Sequence, residues 1–224
     1  TAARTGSAIA FALLVYLVGR TAAGWYGPVC GGLAAMSLVL MPRVFAHAHL
    51  ASLETMIGLA YAATVLSLAT SWTRPDGPRP RDAIVPGVLL GLALLTKIQA
   101  VLLVPPVIVW ALWHFRRRGV LPLLAWGGIG LAVFFVGWPW LWLDPVNHLG
   151  EYFARTTQRA SLSVWYFSEK YPDLEVPWHY PLVLFAVTVP VGLQLLAGCG
   201  LFSKTWRWWH DARCCPRAPV TFFG

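Results

Sequence analysis

The stretch "GVLLGLALLTKIQAVLLVPPVIVWALW" covers Gly87–Trp113, and only one of its residues is charged, Lys97. Extended back to Ala83, the apolar run is 31 residues long with the lysine near its middle. An ammonium near a bilayer centre costs about 2.5–3.5 kcal/mol on insertion scales. As one helix the run would be about 46 Å long, too much for a single crossing of a hydrocarbon core of about 30 Å. Both flanks are basic: Arg74, Arg79 and Arg81 precede it, and Arg116, Arg117 and Arg118 follow it. Lys and Arg concentrate in cytoplasmic loops. Two basic flanks on one side make the run a helical hairpin, with Lys97 at its far turn, near the outer face.

Composition supports this reading over the whole chain. Of 224 residues, 58% are hydrophobic and 12% charged, against about 25% charged in a soluble domain. Mean hydropathy is +0.62. The net charge of +8 does not indicate nucleic acid, because the basic residues sit at the ends of apolar segments. Seven such segments can be marked: 7–19, 27–41, 48–70, 83–96, 98–115, 119–138 and 180–203. An alternating path through them puts Arg20, the 74–82 loop, Arg116–Arg118 and the tail from Lys204 inside, so that the inner side carries all the net charge and the outer side is neutral. The expected architecture is an all-α, polytopic membrane bundle of about seven spans. Residues 1–203 form the transmembrane domain and 204–224 a cytoplasmic basic tail or loop. The start at Thr1 and the end on "PRAPVTFFG" read as those of a fragment.

The segment from Trp138 to Tyr180 is long, lies on the outer side, and holds eleven aromatic residues. Trp and Tyr favour headgroup depth. Within it, "PVNHLGEYFARTTQRA" is expected to form a short interfacial helix, and Asp144, His148, Glu151, Arg155, Arg159 and His179 are candidates for lining a cavity. Cys30 and Cys199 lie in apolar runs and are expected in the core. Cys214-Cys215 sits in the basic tail, where palmitoylation is conceivable.

Eight of nine acidic residues are in loops. The exception, Glu54, lies one to two turns into the third segment at its outer end. An intramembrane carboxylate is a functional hypothesis by default; the structural alternative is a carboxylate favoured by a helix N-terminus. Arg43, His47 and His49 come just before it. His-x-His suits a metal only on extended backbone, because residues two apart on a helix point to nearly opposite sides. His47 and Glu54 would share a face if the helix began early. No HExxH is present, so no cofactor is expected and a divalent metal is a minor alternative. Lys97 faces the same side as Glu54, either snorkelling to headgroups or offering a point charge to a phosphate.

These residues resemble a known family. "GVLLGLALLTK" (87–97) is similar to the lysine-bearing hairpin of membrane glycosyltransferases of the dolichyl-phosphate-mannose–protein mannosyltransferase type, glycosyltransferase family 39. "PRVFAHAHLASLETMIGLAYAATVLSLA" (42–69) is similar to their second outer loop and the following helix. "GWPWLWLDPVNHLGEYF" (137–153) and "PWHYPLVLFAVTVP" (177–190) resemble its bacterial branch. The resemblance implies a GT-C-like architecture in a cell (inner) membrane, with the active site on the extracytoplasmic face. It implies transfer of a sugar from a polyprenyl-phosphate donor to a protein, lipid or glycan acceptor, usually with inversion, and no nucleic-acid partner. Lys97 would hold the donor phosphate, and Glu54 would orient the acceptor or assist the base. Arg43, His47, His49, Gln99, Asp144 and His179 complete the expected substrate-binding set. This chain departs from the pattern in having Glu where Asp is frequent and Ile98-Gln99 where Gly often follows the lysine. The resemblance places the family's catalytic acid upstream of residues 1–20, so this stretch is not expected to catalyse alone. The competing readings are a transporter or lipid flippase, whose sites lie near the midplane, and a non-catalytic membrane scaffold.

Overall fold

The computed structural model describes residues 2–50, 52–73, 77–157, 163–172 and 175–214, mostly as helix. Arg74, Arg159 and Cys215 lie outside the described residues, as do the side chains of Arg155, Lys204 and Cys214. The chain divides into two compact units, residues 1–39 with 44–159, and residues 40–43 with 160–224.

The first unit opens with α1 (Ala2–Tyr26) and α2 (Pro28–Val39), joined at Gly27. Gly27 has φ +92°, a value glycine adopts without a Cβ clash, and Pro28 starts α2 where a missing N–H costs nothing. The two helices run antiparallel on small residues: a Cβ on Gly31 would lie 2.5 Å from that of Ala23. Such close approach is how membrane helices gain packing energy where lipid offers no hydrophobic contrast. After the short α3 (Pro42–His49), Leu50 is in a turn and Ser52 is extended before α4 (Leu53–Trp72) begins. α4 lies along α1 in the same direction, Gly6 facing Met56 and Gly58 facing Leu14.

A 3-10 turn at Pro80–Ala83 leads into α5 (Ile84–Thr96). Lys97 is extended (φ −160°, ψ 128°). A second 3-10 stretch, Ile98–Leu103, joins it to α6 (Val104–Phe115). The tighter winding follows from Pro105 and Pro106. They carry no N–H, so the carbonyls of Val101 and Leu102 have no donor four residues on. That of Val101 accepts the N–H of Val104 instead. A third 3-10 turn, Arg116–Gly119, reverses the chain into α7 (Val120–Gly137).

The packing fixes the directions. At one end, the Trp72 indole N–H donates to the carbonyl of Asp82 (3.4 Å). The Trp72 ring stacks on Trp110 (6.0 Å) and meets Phe115 edge-on (6.4 Å). The start of α5 and the end of α6 are therefore together, with Lys97 at the opposite end, as the hairpin reading expects. α7 runs parallel to α5: the Trp126 indole donates to the carbonyl of Pro86 (3.1 Å), Gly91 faces Val133 and Gly130, and Gly137 faces Leu95. Trp72, Ala83, Ala93, Ala100, Ala111, Trp126 and Leu141 are the most deeply buried residues of this core. Leu102, Val109, Leu121, Leu124 and Val136 are exposed, as lipid-facing positions would be.

Among the described residues, three helical stretches are long and apolar enough to cross a membrane, or five if each bent pair is one span. The expected count of about seven is not shown. The described residues of the seven apolar segments are mostly helical, but α5 has 13 residues and α2 has 12, about 20 Å or less at 1.5 Å per residue. The 40-residue stretch Ile98–Gly137 folds back on itself at Arg116–Gly119, since both its ends lie at the end of α5. The short α8 (Trp140–Leu143) and the amphipathic α9 (Pro145–Thr157) close the unit; α9 is the short helix expected there.

The second unit holds β1 (Ser163–Tyr166) and β2 (Glu169–Pro172), then α10 (Tyr180–Thr188) and α11 (Val191–Cys214). The strands are antiparallel, with Val164 opposite Tyr171 and Trp165 opposite Lys170. This hairpin corrects the all-α expectation: its alternation is only four residues long on each side, too short to stand out among aromatics. α10 and α11 meet at 105°. Pro190 cannot donate to the preceding turn, and the Gln194 amide donates to the carbonyls of Ala186 (2.8 Å) and Val189 (2.7 Å). Cys30 and Cys199 are both exposed, against the expected core placement. In a membrane protein an apolar run is satisfied by lipid, so it does not imply burial.

Candidate functional site

At the end of the first unit opposite Trp72, the Lys97 ammonium donates to the Glu54 carboxylate, Nζ to Oε1 2.6 Å. The side chains are 30% and 49% exposed. α4 supplies the carboxylate and the α5 break supplies the ammonium. Extended backbone at Lys97 ends the helix, with its N–H still bonded to the Ala93 carbonyl (2.9 Å) and its own carbonyl accepting from Ala100 (2.9 Å). Glu54 is the second residue of α4 rather than one to two turns in, because extended backbone at Ser52 delays the start of the helix. There the macrodipole favours a carboxylate. The charge in the apolar run is thus offset twice, by its place at the helix ends and by a counter-ion.

Tyr61 stitches the same corner together. Its hydroxyl donates to the Gln99 carbonyl (2.6 Å), so α4 holds the chain on both sides of Lys97. Tyr61 was not singled out from the sequence, although it lies seven residues from Glu54 and so shares its helical face. Gln99 contributes its backbone here, and its side chain is exposed.

The pair leaves chemistry in reserve. An ammonium has three donors, and a carboxylate about four acceptor sites. The ion pair occupies one donor of the ammonium, so the lysine can bind a second anion without leaving the carboxylate. Nearby in the chain, the His47 Nδ1, Ser52 Oγ and Thr55 Oγ1 atoms are buried with no hydrogen-bond partner in the structure, as is Ser7 Oγ on α1. Thr55 is 5% exposed and Ser7 2%.

The remaining expected residues scatter. His47 and His49 do not converge: His49 is exposed, donates Nδ1–H to the Phe45 carbonyl (2.8 Å) and packs on the Phe45 ring. His47 belongs to α3 and does not share a helix with Glu54. Among the described residues no group of three His, Cys, Asp or Glu side chains is placed to hold a metal. Arg43 and His179 belong to the second unit, where His179 lies against Tyr166 and Trp178.

α7 ends beside Leu95, which brings Trp138 and the helices that follow to the Lys97 end. Trp138 packs on Phe134, Trp140 and Tyr152. His148 stacks on Trp140 at 4.1 Å and donates Nδ1–H to the Trp140 carbonyl (2.7 Å), which leaves Nε2 as its outward nitrogen. Asp144 precedes α9 and caps it, accepting from the Asn147 side chain (2.6 Å) and backbone (3.3 Å). Those two bonds, the side-chain one foremost, hold its carboxyl below the usual carboxylate range, with a smaller contribution from His148. Asp144 is therefore engaged in holding α9.

Comparison with known proteins gives one finding. The profile of the dolichyl-phosphate-mannose-protein mannosyltransferase family matches residues 1–142, a stretch that takes in Glu54, Tyr61, Lys97 and Trp138. No curated protein and no solved structure matches the chain.

Proposed function

The chain belongs to the dolichyl-phosphate-mannose-protein mannosyltransferase family, and from that premise we propose that Glu54 and Lys97 are its substrate-handling pair on the extracytoplasmic face of a cell membrane. Family membership implies a membrane glycosyltransferase that uses polyprenyl-phosphate sugar donors, and the candidate spans agree with a multi-pass membrane protein. The observation that carries the finer reading is the 2.6 Å contact between the two groups at the end of the bundle away from Arg79, Arg81 and the Arg116–Arg118 turn. Positive charge marks the cytoplasmic side, so the pair belongs to the other.

In this reading the donor phosphate approaches Lys97 and shares its ammonium with Glu54. Donor binding then loosens the ion pair and turns the carboxylate toward the acceptor. As the acceptor oxygen forms its bond to the anomeric carbon, the bond from that carbon to the phosphate oxygen breaks. The electron pair leaves with the lipid phosphate, where Lys97 offsets the growing charge. The acceptor proton passes to a carboxylate that Glu54 is or assists. Tyr61 is a positioning residue, since it holds the backbone beyond Lys97. The aromatic segment of α8 and α9 lies at the same end and would limit water. Gln99, His47 and His49 are the next candidates for substrate contact on this unit.

The test is transfer from a panel of radiolabelled polyprenyl-phosphate sugars to membrane acceptors, by the complete protein and its Lys97→Ala variant. A loss of transfer with weaker donor binding supports the role. Unchanged rate and unchanged donor affinity would remove Lys97 from the mechanism.

A further inference from the structure

The opposite end of the first unit carries a second set of charges that sugar transfer does not use. Arg116, Arg117 and Arg118 occupy the turn between α6 and α7, Arg79 precedes the turn before α5 and Arg81 lies within it; all five are exposed. The Trp72 contacts to Asp82, Trp110 and Phe115 bring these two turns together. Among the described residues at this end, the Asp82 carboxylate is already engaged, accepting the backbone N–H of Arg79 (3.0 Å). Among the described residues, no ion pair holds Arg81, Arg116, Arg117 or Arg118.

The turn that carries the three arginines is built, not slack. Arg116 has φ 53° and ψ −130°, a conformation that costs a non-glycine residue about 1–3 kcal/mol and persists only where its surroundings impose it. Gly119 is buried against α6: a Cβ there would lie 3.0 Å from the Ala111 carbonyl and 3.2 Å from the Phe115 Cβ. The turn is thereby tucked in and its arginines are exposed. Trp113, one turn earlier, is 82% exposed, and an exposed tryptophan beside cations is the pattern of a headgroup-depth anchor.

We propose that this end is a binding surface for anionic phospholipid headgroups, with guanidinium groups from the two turns bridging lipid phosphates and Trp113 seated among the upper acyl chains. Arginine binds phosphate through two parallel N–H donors, and clustered basic residues beside a membrane segment favour anionic lipid. The inference depends only on membrane embedding and stands whether or not the glycosyltransferase mechanism above is right.

The complete purified protein is tested in nanodiscs of phosphatidylcholine with and without phosphatidylglycerol, reading retained lipid by native mass spectrometry and thermal stability in parallel. Phosphatidylglycerol should be retained selectively and raise the melting temperature. R116Q/R117Q/R118Q should lower that retention roughly tenfold or more, and the corresponding Lys variant should restore part of it. Arg116→Gly relaxes the backbone, so it should keep the fold and still lose part of the selectivity. That variant keeps the test decisive if the triple variant does not fold. Equal retention of both lipids by the unaltered protein would overturn the proposal. So would full selectivity in the Arg116→Gly and triple variants, stabilisation by soluble glycerol phosphate to the same degree, or preferential capture of RNA over vesicles.

Discussion

The two ends of the first unit are built from the same helices and treat charge in opposite ways. At one end a lysine meets a glutamate at 2.6 Å, and the Tyr61 hydroxyl ties the chain just beyond the lysine to α4. At the other, exposed arginines stand on two adjoining turns and the Asp82 carboxylate caps a backbone N–H. The difference teaches that charge number does not locate a site here. Pairing does, because a cation held against a carboxylate can exchange that partner for a substrate, whereas cations without a carboxylate partner answer to a whole membrane surface.

The comparison breaks most sharply at Lys97. Lys97→Ala should reduce sugar transfer by about 10²–10³-fold, the usual cost of removing one group that stabilises developing charge. Arg117→Gln, measured in the same membranes, should leave the rate within about threefold. Charge exchange comes next. Glu54→Lys and Lys97→Glu should each lower the yield of folded protein, since either leaves two like charges in contact. The double exchange should recover folding, read by size-exclusion profile and melting temperature, without recovering transfer. Gly91→Val is a purely structural counterpart: a Cβ there already lies 2.5 Å from that of Val133, so α5 and α7 must separate, with a loss of about 1–3 kcal/mol or more and an effect on both ends at once. Tyr61→Phe removes one hydrogen bond and should cost about 1 kcal/mol, while slowing transfer more than it lowers the melting temperature.

The smallest effect is expected at Asp144. Its folded carboxyl titrates below its unfolded value, so its cap on α9 is fully present at neutral pH and is lost only as pH falls through that depressed value. Proteolytic cleavage within α9 should stay flat across the ordinary carboxylate range and rise below it, and Asp144→Asn should flatten that rise.

Much of this arrangement was legible before any coordinates. Two basic flanks around one apolar run sufficed to put Lys97 at a far turn, because topology follows from where arginine can be tolerated. That Glu54 lies on the same side followed from both residues being charged exceptions; their direct ion pair did not. What stayed hidden was local. The turn at Leu50 and the extended Ser52, which separate His47 from Glu54, are residues that also fit a continuing helix. The 3-10 stretch after Lys97 follows from Pro105 and Pro106, but its effect appears several residues upstream of them. Tyr61 reads as one more aromatic among many until its hydroxyl is seen on a carbonyl 38 residues away. The exposure of Cys30 and Cys199 escaped because hydrophobicity in such a chain says only that water is absent, not which neighbour replaces it.

The parallel seam between α5 and α7 bears on how the molecule is assembled during synthesis. Its two sides are not consecutive, so the intervening α6 must be laid down before Trp126 can reach the carbonyl of Pro86 and before Gly91 can receive Val133. Until the ribosome has passed Gly137, α5 has no mate along that stripe, and a chaperone or insertase that shelters nascent membrane helices would find its grip there.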